Sequence, residues 1–374
     1  MRFVVSSTAL LSHLQAISKV INSKNTLPIL DCFLLDLDGT TLTLTAADSE
    51  TRLVTSIEVA DAEGSGKLAV NAKNLLEPLK ELPEQPLTFE INDSNLETFI
   101  FFHNGKYNFL GQSGDDYPQP KELKETAITL SIEPQILFSG INRTLFASAD
   151  DELRPVMNGI YFDITPEDLT FVASDGHKLV RSKTLSAKGS ERASFILPKK
   201  PANLLKAILP KETETVELSF DENNAHIKMS SYTMTCRFIE GRYPNYNSVI
   251  PQNNPNKIAL DRLTLFNALK RVSVFSNQAS NLIKLQLSAS SIVVSAQDID
   301  FSTAAEETIS CDYSGTPMSI GFKSNFLIDI LNNISASDIS LELSDPSRAG
   351  IILPVENEEN EDLLMLLMPM MLND

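Results

Sequence analysis

Apolar and polar residues alternate along three stretches of the chain that are similar to one another. They span residues 41–48, 169–175 and 292–298, and each ends in a turn of small or polar residues that contains an aspartate. Alternation with a period of two is typical of a β-strand with one buried face. Because Asp48, Asp175 and Asp298 recur at nearly equal intervals, the pattern predicts three copies of one structural unit.

Two other landmarks recur in the same register as these strands. One is an asparagine that opens an amphipathic helical pattern with a lysine just before it, and the other is an aromatic or apolar residue followed by proline. The asparagines are Asn74, Asn203 and Asn325, and the pairs are Tyr117-Pro118, Tyr243-Pro244 and Met368-Pro369. Three markers in one register favour a true internal repeat.

Apolar positions at helical spacing predict two helices in each unit, separated by several strands. The expected first helices cover residues 7–21, 134–147 and 261–275, and the second helices follow Asn71, Lys199 and Lys323. The fold class is therefore expected to be α+β, with each domain holding two helices backed by antiparallel sheets. Polar, proline-rich segments predict domains at residues 1–120, 127–249 and 252–374.

The net charge of −18 conceals a separation of charge between the helices and the rest of the chain. The six helical segments hold 13 of the 31 Lys and Arg residues but only 3 of the 49 Asp and Glu residues. A basic helical face on an acidic protein suits contact with a phosphate backbone. No zinc-finger, helix-turn-helix or RNA-binding signature occurs, so DNA contacts would lack sequence specificity. The acidic run 356–362 is interpreted as a solvated hairpin loop.

The composition argues against several classes of protein. No apolar run reaches the roughly 20 residues of a membrane helix, and the longest candidate, 363–372, contains a proline. The cysteines Cys32, Cys236 and Cys311 lie far apart, which argues against disulfides and a zinc site and favours a reducing cytoplasm. The four histidines never stand at ligand spacing and no glycine-rich phosphate loop occurs, so we expect no metal and no cofactor.

The segment Ser174-Asp175-Gly176-His177-Lys178 contains the residue types of a catalytic site. Sequence neighbours rarely face one another in a working triad, and this segment lies at the repeated turn, where the other copies carry Ser49 and Ile299. We therefore interpret it as a turn and expect no catalytic residues. An enzyme built around Asp175 and His177 stays an alternative, as does a protein-binding scaffold without a role on DNA.

Six short motifs, in a fixed order, carry a family resemblance over the whole chain. They are Thr26-Leu27-Pro28-Ile29-Leu30, Met157-Asn158-Gly159, Ser174-Asp175-Gly176-His177-Lys178-Leu179, Tyr243-Pro244-Asn245-Tyr246, Ile320-Gly321-Phe322 and Met368-Pro369-Met370. With them the chain resembles the beta subunit of bacterial DNA polymerase III, the sliding clamp. It departs from the family's usual pattern at Lys178 and Ser248, where an arginine can stand, and in the tail Asn373-Asp374.

The resemblance implies a non-catalytic homodimer, closed head to tail into a ring that encircles duplex DNA and confers processivity on the replicative polymerase. Tyr107 and Phe109 of one protomer would meet Val274 and Phe275 of its partner. A groove would bind peptides of the DNA polymerase III alpha subunit, the clamp-loader delta subunit and other proteins with clamp-binding motifs.

The resemblance implies the groove residues, and the helices and basic positions indicate the residues that face DNA. The expected groove residues are Met157, Ser174, Gly176, His177, Leu179, Pro244, Val249, Phe326, Met368, Pro369, Met370 and Leu372. The expected DNA-facing residues are Lys24, Lys73, Lys80, Arg143, Arg154, Lys199, Lys200 and Lys206.

Overall fold

The computed structural model describes residues 1–372, so Asn373 and Asp374 lie outside the described part of the chain. Packing divides the chain into two compact units. The first unit contains residues 1–135 and 203–238, and the second contains residues 136–202 and 239–374. The predicted domains follow the chain in order, whereas packing divides the strands of the central repeat between the two units.

Six α-helices form where the apolar spacing predicted them. The first begins after Ser6, whose hydroxyl accepts a hydrogen bond from the Ala9 amide, and Asn71 and Asp261 cap two others in the same way. Such side chains satisfy amides that have no partner within the helix. The helices are α1 Ser7–Ser18, α2 Ala72–Lys80, α3 Pro134–Thr144, α4 Lys199–Ile208, α5 Arg262–Val272 and α6 Ser324–Asn332.

The helix ends differ from the predicted ends by one turn. The expected helices at 134–147 and 261–275 each finish as a 3₁₀ turn, Leu145–Ala147 and Ser273–Phe275. The first helix ends at Ser18. Apolar spacing locates the buried face of a helix but does not locate its last residue.

The first unit contains two antiparallel sheets. One sheet has the strand order β5-β1-β7-β8-β9 and the other has the order β10-β6-β2-β3-β4-β18-β17-β16-β11. The strands are β1 Arg2–Ser6, β2 Cys32–Asp38, β3 Thr41–Ala47, β4 Thr51–Glu58, β5 Ala60–Glu63, β6 Gly66–Asn71, β7 Pro86–Ile91, β8 Glu97–Phe102, β9 Gly105–Leu110, β10 Gln112–Ser113, β11 Ile128–Ile132, β16 Val216–Phe220, β17 Asn224–Lys228 and β18 Tyr232–Arg237.

The second unit also contains two antiparallel sheets. Their orders are β15-β12-β13-β14-β26-β25-β24-β19 and β22-β21-β20-β23. The strands are β12 Gly159–Ile164, β13 Leu169–Ser174, β14 Lys178–Thr184, β15 Ala193–Pro198, β19 Asn256–Asp261, β20 Leu282–Ser288, β21 Ser291–Asp298, β22 Thr303–Ser310, β23 Met318–Lys323, β24 Asp338–Leu343, β25 Gly350–Pro354 and β26 Glu361–Leu367.

The sheets are built from groups of four strands. Two kinds of group can be distinguished by their strand order, and each kind occurs three times. The groups β6-β2-β3-β4, β15-β12-β13-β14 and β23-β20-β21-β22 have the same connectivity, as do β1-β7-β8-β9, β11-β16-β17-β18 and β19-β24-β25-β26. Two larger sheets arise because β4 pairs with β18 and β14 pairs with β26. We call these two strand pairs the first seam and the second seam.

The helices pack against the sheets through close, fully buried contacts. On α3, Gly140 lies so near the ring of Phe171 on β13 that an added Cβ would stand 2.4 Å from a ring carbon. Phe171 is buried and packs edge-to-face on Phe162 of β12. A glycine inside a helix therefore allows the helix to approach the sheet closely.

We expect Gly140→Ala to destabilise the protein. Alanine favours the helix by about 1 kcal/mol relative to glycine, but overpacking of a dense core costs about 1–3 kcal/mol. Urea denaturation should therefore show a net loss of stability. Gln135→Ala, at an exposed position on the same helix, is the matched control, and a Gly140→Ala variant as stable as this control would contradict the packing argument.

Candidate functional site: partner groove, strand edges and basic helices

The three repeated aspartates form the same hydrogen-bonded turn. Oδ1 of Asp48 accepts from the amides of Glu50 and Thr51, at 2.8 and 2.6 Å, and Oδ1 of Asp175 accepts from His177 and Lys178, at 2.8 and 2.9 Å. Asp298 accepts in the same way from the amides two and three residues on, at 3.0 and 3.3 Å. Aspartate favours such turns because its short side chain reaches the following amides. The geometry supports the interpretation of these residues as a turn.

Asp175 has an additional partner in the second repeat, a lysine that is almost fully buried. The Lys178 ammonium lies 2.6 Å from Asp175 Oδ2, and its side chain is 7% exposed. Burial raises the pKa of Asp175, but hydrogen bonds from the Lys178 ammonium and from the amides of Lys178 and His177 outweigh it. The pKa therefore lies below its ordinary value, and the carboxylate stays charged at neutral pH.

Phe326, in the first turn of α6, lies at the centre of the expected groove. Lys178 Nζ lies 4.2 Å and Lys323 Nζ 4.9 Å from the centre of its ring. The His177 ring stacks on Phe326 with centroids 5.9 Å apart. Cation–π attraction of this kind holds an aromatic ring in one orientation while leaving part of it accessible. Phe326 and His177 are therefore brought together as expected.

Two backbone hydrogen bonds hold the segment after β26, one to the Asp175 turn and one to β23. The Met368 amide donates to the His177 carbonyl, and the Met370 amide donates to the Gly321 carbonyl, both at 2.8 Å. A Cβ on Gly321 would stand 2.7 Å from the Met370 carbonyl oxygen, so glycine permits this approach. Met368 thus lies at the histidine, and Met370 lies against β23.

The expected groove residues differ in their exposure. Met157, Ser174 and Leu179 are buried, and Leu179 belongs to a core cluster with Tyr243 and Leu366. The exposed members are Gly176, His177, Pro244, Val249 and Met368, and the half-buried ones are Phe326, Pro369, Met370 and Leu372.

Arg154 was expected to face DNA, but the structure places it beside the groove. Its Nε lies 2.8 Å from Asp151 Oδ2, and Nη2 donates to the Asp175 carbonyl at 3.3 Å. A Cβ at Gly176 would stand 2.9 Å from its Nη1. These contacts engage the guanidinium at the Asp175 turn, beside the expected groove residues Gly176 and His177, so we leave Arg154 out of the proposed DNA-facing set.

Arg143 was also expected to face DNA, and its surroundings contradict this. Its side chain is 10% exposed, and the guanidinium forms ion pairs with Glu358, at 3.0 Å, and with Glu361. Arg181 pairs in a similar way with Asp362 at 2.6 Å. Part of the acidic run 356–362 therefore binds one buried and one half-buried arginine, and the interpretation of the whole run as a solvated loop was incomplete.

The other expected DNA-facing residues are lysines on or beside helices. Lys24, Lys73, Lys80 and Lys206 are exposed, whereas Lys199 and Lys200 are half-buried. Lys199 pairs with Asp150 at 2.7 Å, and Lys80 pairs with Glu77 at the same distance. Ion pairs near the surface are weak, so these lysines can give up their carboxylate partners for other anions.

A cavity of about 730 Å³ in the first unit adds two lysines to this set. Lys19 follows α1, Lys211 follows α4, and both line the cavity together with Lys80. Hydroxyl and amide side chains of Ser12 and Gln15 complete its polar wall. The charge count of the helical segments included both lysines, so the signal was present in the sequence even though neither was selected.

The residues expected at the dimer interface lie beside two strands at sheet edges. Tyr107 and Phe109 lie half-buried on β9, and the neighbouring Leu110 is 74% exposed. Val274 is 78% exposed, and it lies with Phe275 in the 3₁₀ turn that contacts β22. Leu110 was not predicted, although an apolar residue at the end of an alternating strand is a usable signal.

The cysteines and acidic residues show no arrangement that would bind a metal. Within residues 1–372, no group of three or more His, Cys, Asp or Glu side chains could hold a metal ion. Burial raises the pKa of the Cys236 thiol to about 12, while burial and the nearby Asp31 raise the pKa of the Cys32 thiol to about 11.

Within residues 1–372, no helix is both long and apolar enough to cross a membrane.

Three family models together match almost the entire chain. The models for the N-terminal, central and C-terminal domains of the DNA polymerase III beta subunit match residues 1–121, 131–245 and 247–371. The chain belongs to the DNA polymerase III beta subunit family. The predicted α+β fold of three clamp domains is confirmed, and so is the predicted function of a DNA polymerase processivity clamp.

Individual relatives are similar to this chain over 96–100% of their own length. The chain is 28% identical over 373 residues to the beta sliding clamp of Pseudomonas putida, with 100% of both chains covered, and 28% identical over 366 residues to that of Synechococcus elongatus, with 95% and 96% covered. A solved DnaN sliding clamp from Pseudomonas aeruginosa, bound to griselimycin, superimposes with a TM-score of 0.93 at 27% identity, with 100% of both chains covered.

We expect Asp175→Asn to destabilise the protein by about 3 kcal/mol, because it leaves the buried Lys178 charge without its partner. Since the pKa of Asp175 is lowered, its stabilising effect is present above the ordinary aspartate pKa and is lost as the pH falls through the lowered one. Denaturation at several pH values should show wild type and variant converging in acid.

Asp298→Asn is the matched control for this variant. Asp298 forms the same turn, but none of the ion pairs described within residues 1–372 involves it. Asparagine retains the accepting oxygen, so this control should change stability little. Equal losses in the two variants would show that the ion pair contributes nothing.

Proposed function

We propose that the protein forms a homodimeric ring, closed head to tail around duplex DNA, that tethers the replicative polymerase. The observation that carries this proposal is the pairing pattern of the repeated strands. The first seam joins β4 to β18 and the second joins β14 to β26. By repetition, a third seam would join β22 to the counterpart of β18 and β26, which is β9.

Both halves of the third seam are available within one chain. Among residues 1–372, β9 and β22 each pair on one side only. An unpaired strand edge presents backbone donors and acceptors to another chain. Because β9 and β22 are different strands, their pairing is heterologous, and two copies that close by rotation form a ring. The apolar side chains of Leu110, Val274 and Phe275 beside these edges support the same contact.

We place the basic helices toward DNA. Lys24, Lys73, Lys80, Lys199, Lys200 and Lys206 form this set, and Lys19 and Lys211 join it. Enclosure holds the ring on DNA, so the lysines need only screened and water-mediated contacts with phosphates. Such contacts carry no sequence information, which allows sliding.

The groove around His177 and Phe326 would accept short peptides from partners. We propose the DNA polymerase III alpha subunit, the clamp-loader delta subunit and other clamp-binding proteins as these partners. The methionines Met368 and Met370 support binding of several partners, because a flexible thioether repacks around different side chains.

We further propose that the chain acts without catalysis of its own, because Asp175 is engaged as a turn former and as the partner of Lys178. It works in the cytoplasm. Its domains extend over residues 1–120, 127–249 and 252–374.

We expect the loaded protein to stay on nicked circular DNA and to leave once the circle is cut, because only a closed path retains a ring that binds weakly. Gel filtration of loaded complexes before and after cutting measures this. Equal retention on circular and linear DNA would contradict enclosure.

The double variant Val274→Glu with Phe275→Glu should be monomeric in sedimentation and should not be retained on the circle. Buried charge without a partner disrupts an apolar interface. Leu185→Glu, at a position 54% exposed outside the proposed interface, is the matched control and should stay dimeric. A dimeric double variant would overturn the interface assignment.

Deletion of residues 368–374 should abolish binding of a labelled polymerase alpha-subunit peptide while leaving the dimer intact. The milder variant Met368→Glu places a charge at the groove margin and should weaken the peptide by at least about tenfold. Fluorescence polarisation measures the affinity and sedimentation the dimer. Unchanged affinity in Met368→Glu, or a monomeric deletion variant, would count against this groove.

A further inference from the structure

We propose that the first seam carries a second peptide-binding site, which accepts a short segment with apolar side chains flanked by carboxylates. The site lies wholly within the first unit, among residues that none of the expected groove or DNA contacts include. This proposal goes beyond the proposed function, because it assigns a separate site to a different repeat.

The backbone at the first seam repeats the backbone of the groove at the second seam. At the second seam the residue after β26, Met368, donates its amide to the His177 carbonyl at 2.8 Å. At the first seam the last residue of β18, Arg237, donates its amide to the Glu50 carbonyl, also at 2.8 Å. Glu50 and His177 are both the second residue after the turn aspartate. The same fold element thus frames both places.

The tyrosine-proline pairs extend this equivalence. Tyr243 is buried and stacks on Tyr161 with ring centres 4.7 Å apart, and Pro244 follows it at the groove. Tyr117 is buried and donates its hydroxyl to the Cys32 carbonyl at 3.3 Å, and Pro118 follows it. In both repeats a buried tyrosine thus anchors the connecting segment, and in the first repeat the next residue, Pro118, lines the same cavity as the turn.

A cavity of about 310 Å³ opens between this turn and the connecting segment. Its volume lies at the lower end of the range of ligand pockets, which suits one or two apolar side chains. Leu27, 50% exposed, and Pro118 and Pro120 supply apolar wall, and Cys236 closes it from within. A half-exposed leucine beside two prolines offers apolar surface to a partner.

The charges in the wall favour an acidic occupant. The carboxylates are engaged: Asp48 forms the turn, and Glu50 lies 3.8 Å from Arg237. Arg52 donates to the Pro118 carbonyl at 2.7 Å and forms none of the ion pairs described within residues 1–372. Lys121 is exposed at the margin. The three cations of the wall, Arg52, Lys121 and Arg237, thus outnumber its two carboxylates, and this excess attracts a peptide carboxylate, unusually for a protein of net charge −18.

The two seams differ in the side chains that they present. At the positions of His177 and Met368 in the groove, the first seam carries Glu50 and Arg237, and Leu27 lies beside them in the cavity. Two sites with the same backbone arrangement but different side chains bind peptides of different sequence. The second site therefore binds its own class of segment rather than a second copy of the groove's peptide.

The test uses the full chain and two fluorescein-labelled, capped hexapeptides, Asp-Leu-Asp-Leu-Phe-Asp and Lys-Leu-Lys-Leu-Phe-Lys. Met368→Glu serves as the background, because it impairs the groove without touching the cavity. We expect the acidic probe to bind this background at least about tenfold more tightly than the basic probe, and Leu27→Asp to reduce its affinity by a similar factor. Leu185→Asp, at an almost equally exposed leucine outside the cavity, should have no effect.

Each outcome decides between the two sites. Unchanged acidic-probe binding in the Leu27→Asp variant, or no binding to the Met368→Glu background, overturns the second site. Equal affinity for the two probes overturns its acidic occupant. If Leu27→Asp removes acidic-probe binding while Met368→Glu binds the polymerase alpha-subunit peptide as tightly as wild type, the second site stands and the groove assignment fails. Circular dichroism melting of every variant checks that it is folded.

Discussion

Backbone hydrogen bonding across the seams is the interaction on which the rest of this structure depends. Each repeat has an outer strand whose amides and carbonyls need partners, and burial without them is costly. The pairing of β4 with β18 and of β14 with β26 meets that need twice. It joins strands of successive repeats into continuous sheets, so that the central repeat contributes to both compact units. The outer edges of β9 and β22 stay unpaired within residues 1–372.

The repeated aspartate turn acquires its different uses from what surrounds it. In each repeat the carboxylate accepts the same two amides, which is a local property of the sequence. In the second repeat the carboxylate also pairs with a buried lysine, and His177 of the turn stacks on the ring of Phe326. A common turn can therefore serve as a structural corner in one place and as the margin of a groove in another.

Charge is distributed in two ways in this protein. Exposed lysines on and beside the helices form weak, exchangeable contacts that suit a mobile phosphate backbone. The arginines Arg143 and Arg181 instead hold Glu358, Glu361 and Asp362 within the second unit. Arginine suits this structural use, because its planar group binds carboxylates at two points. Counting charges by segment cannot separate the two uses, because both contribute equally to the sum.

The repeat, the positions of the six helices and the α+β class could all be predicted from the sequence, because they follow from local periodicity and recurring motifs that need no knowledge of distant contacts. The association of His177 with Phe326 and the chain end was implied by the family resemblance. The tertiary structure alone decided the burial of Arg143, the position of Arg154 beside Gly176, the availability of β9 and β22, and the cavity beside Leu27. Each of these depends on which distant residues pack together. A linear pattern gives the face on which a side chain lies, whereas its partner across a seam is set by strand pairing between residues far apart in the chain.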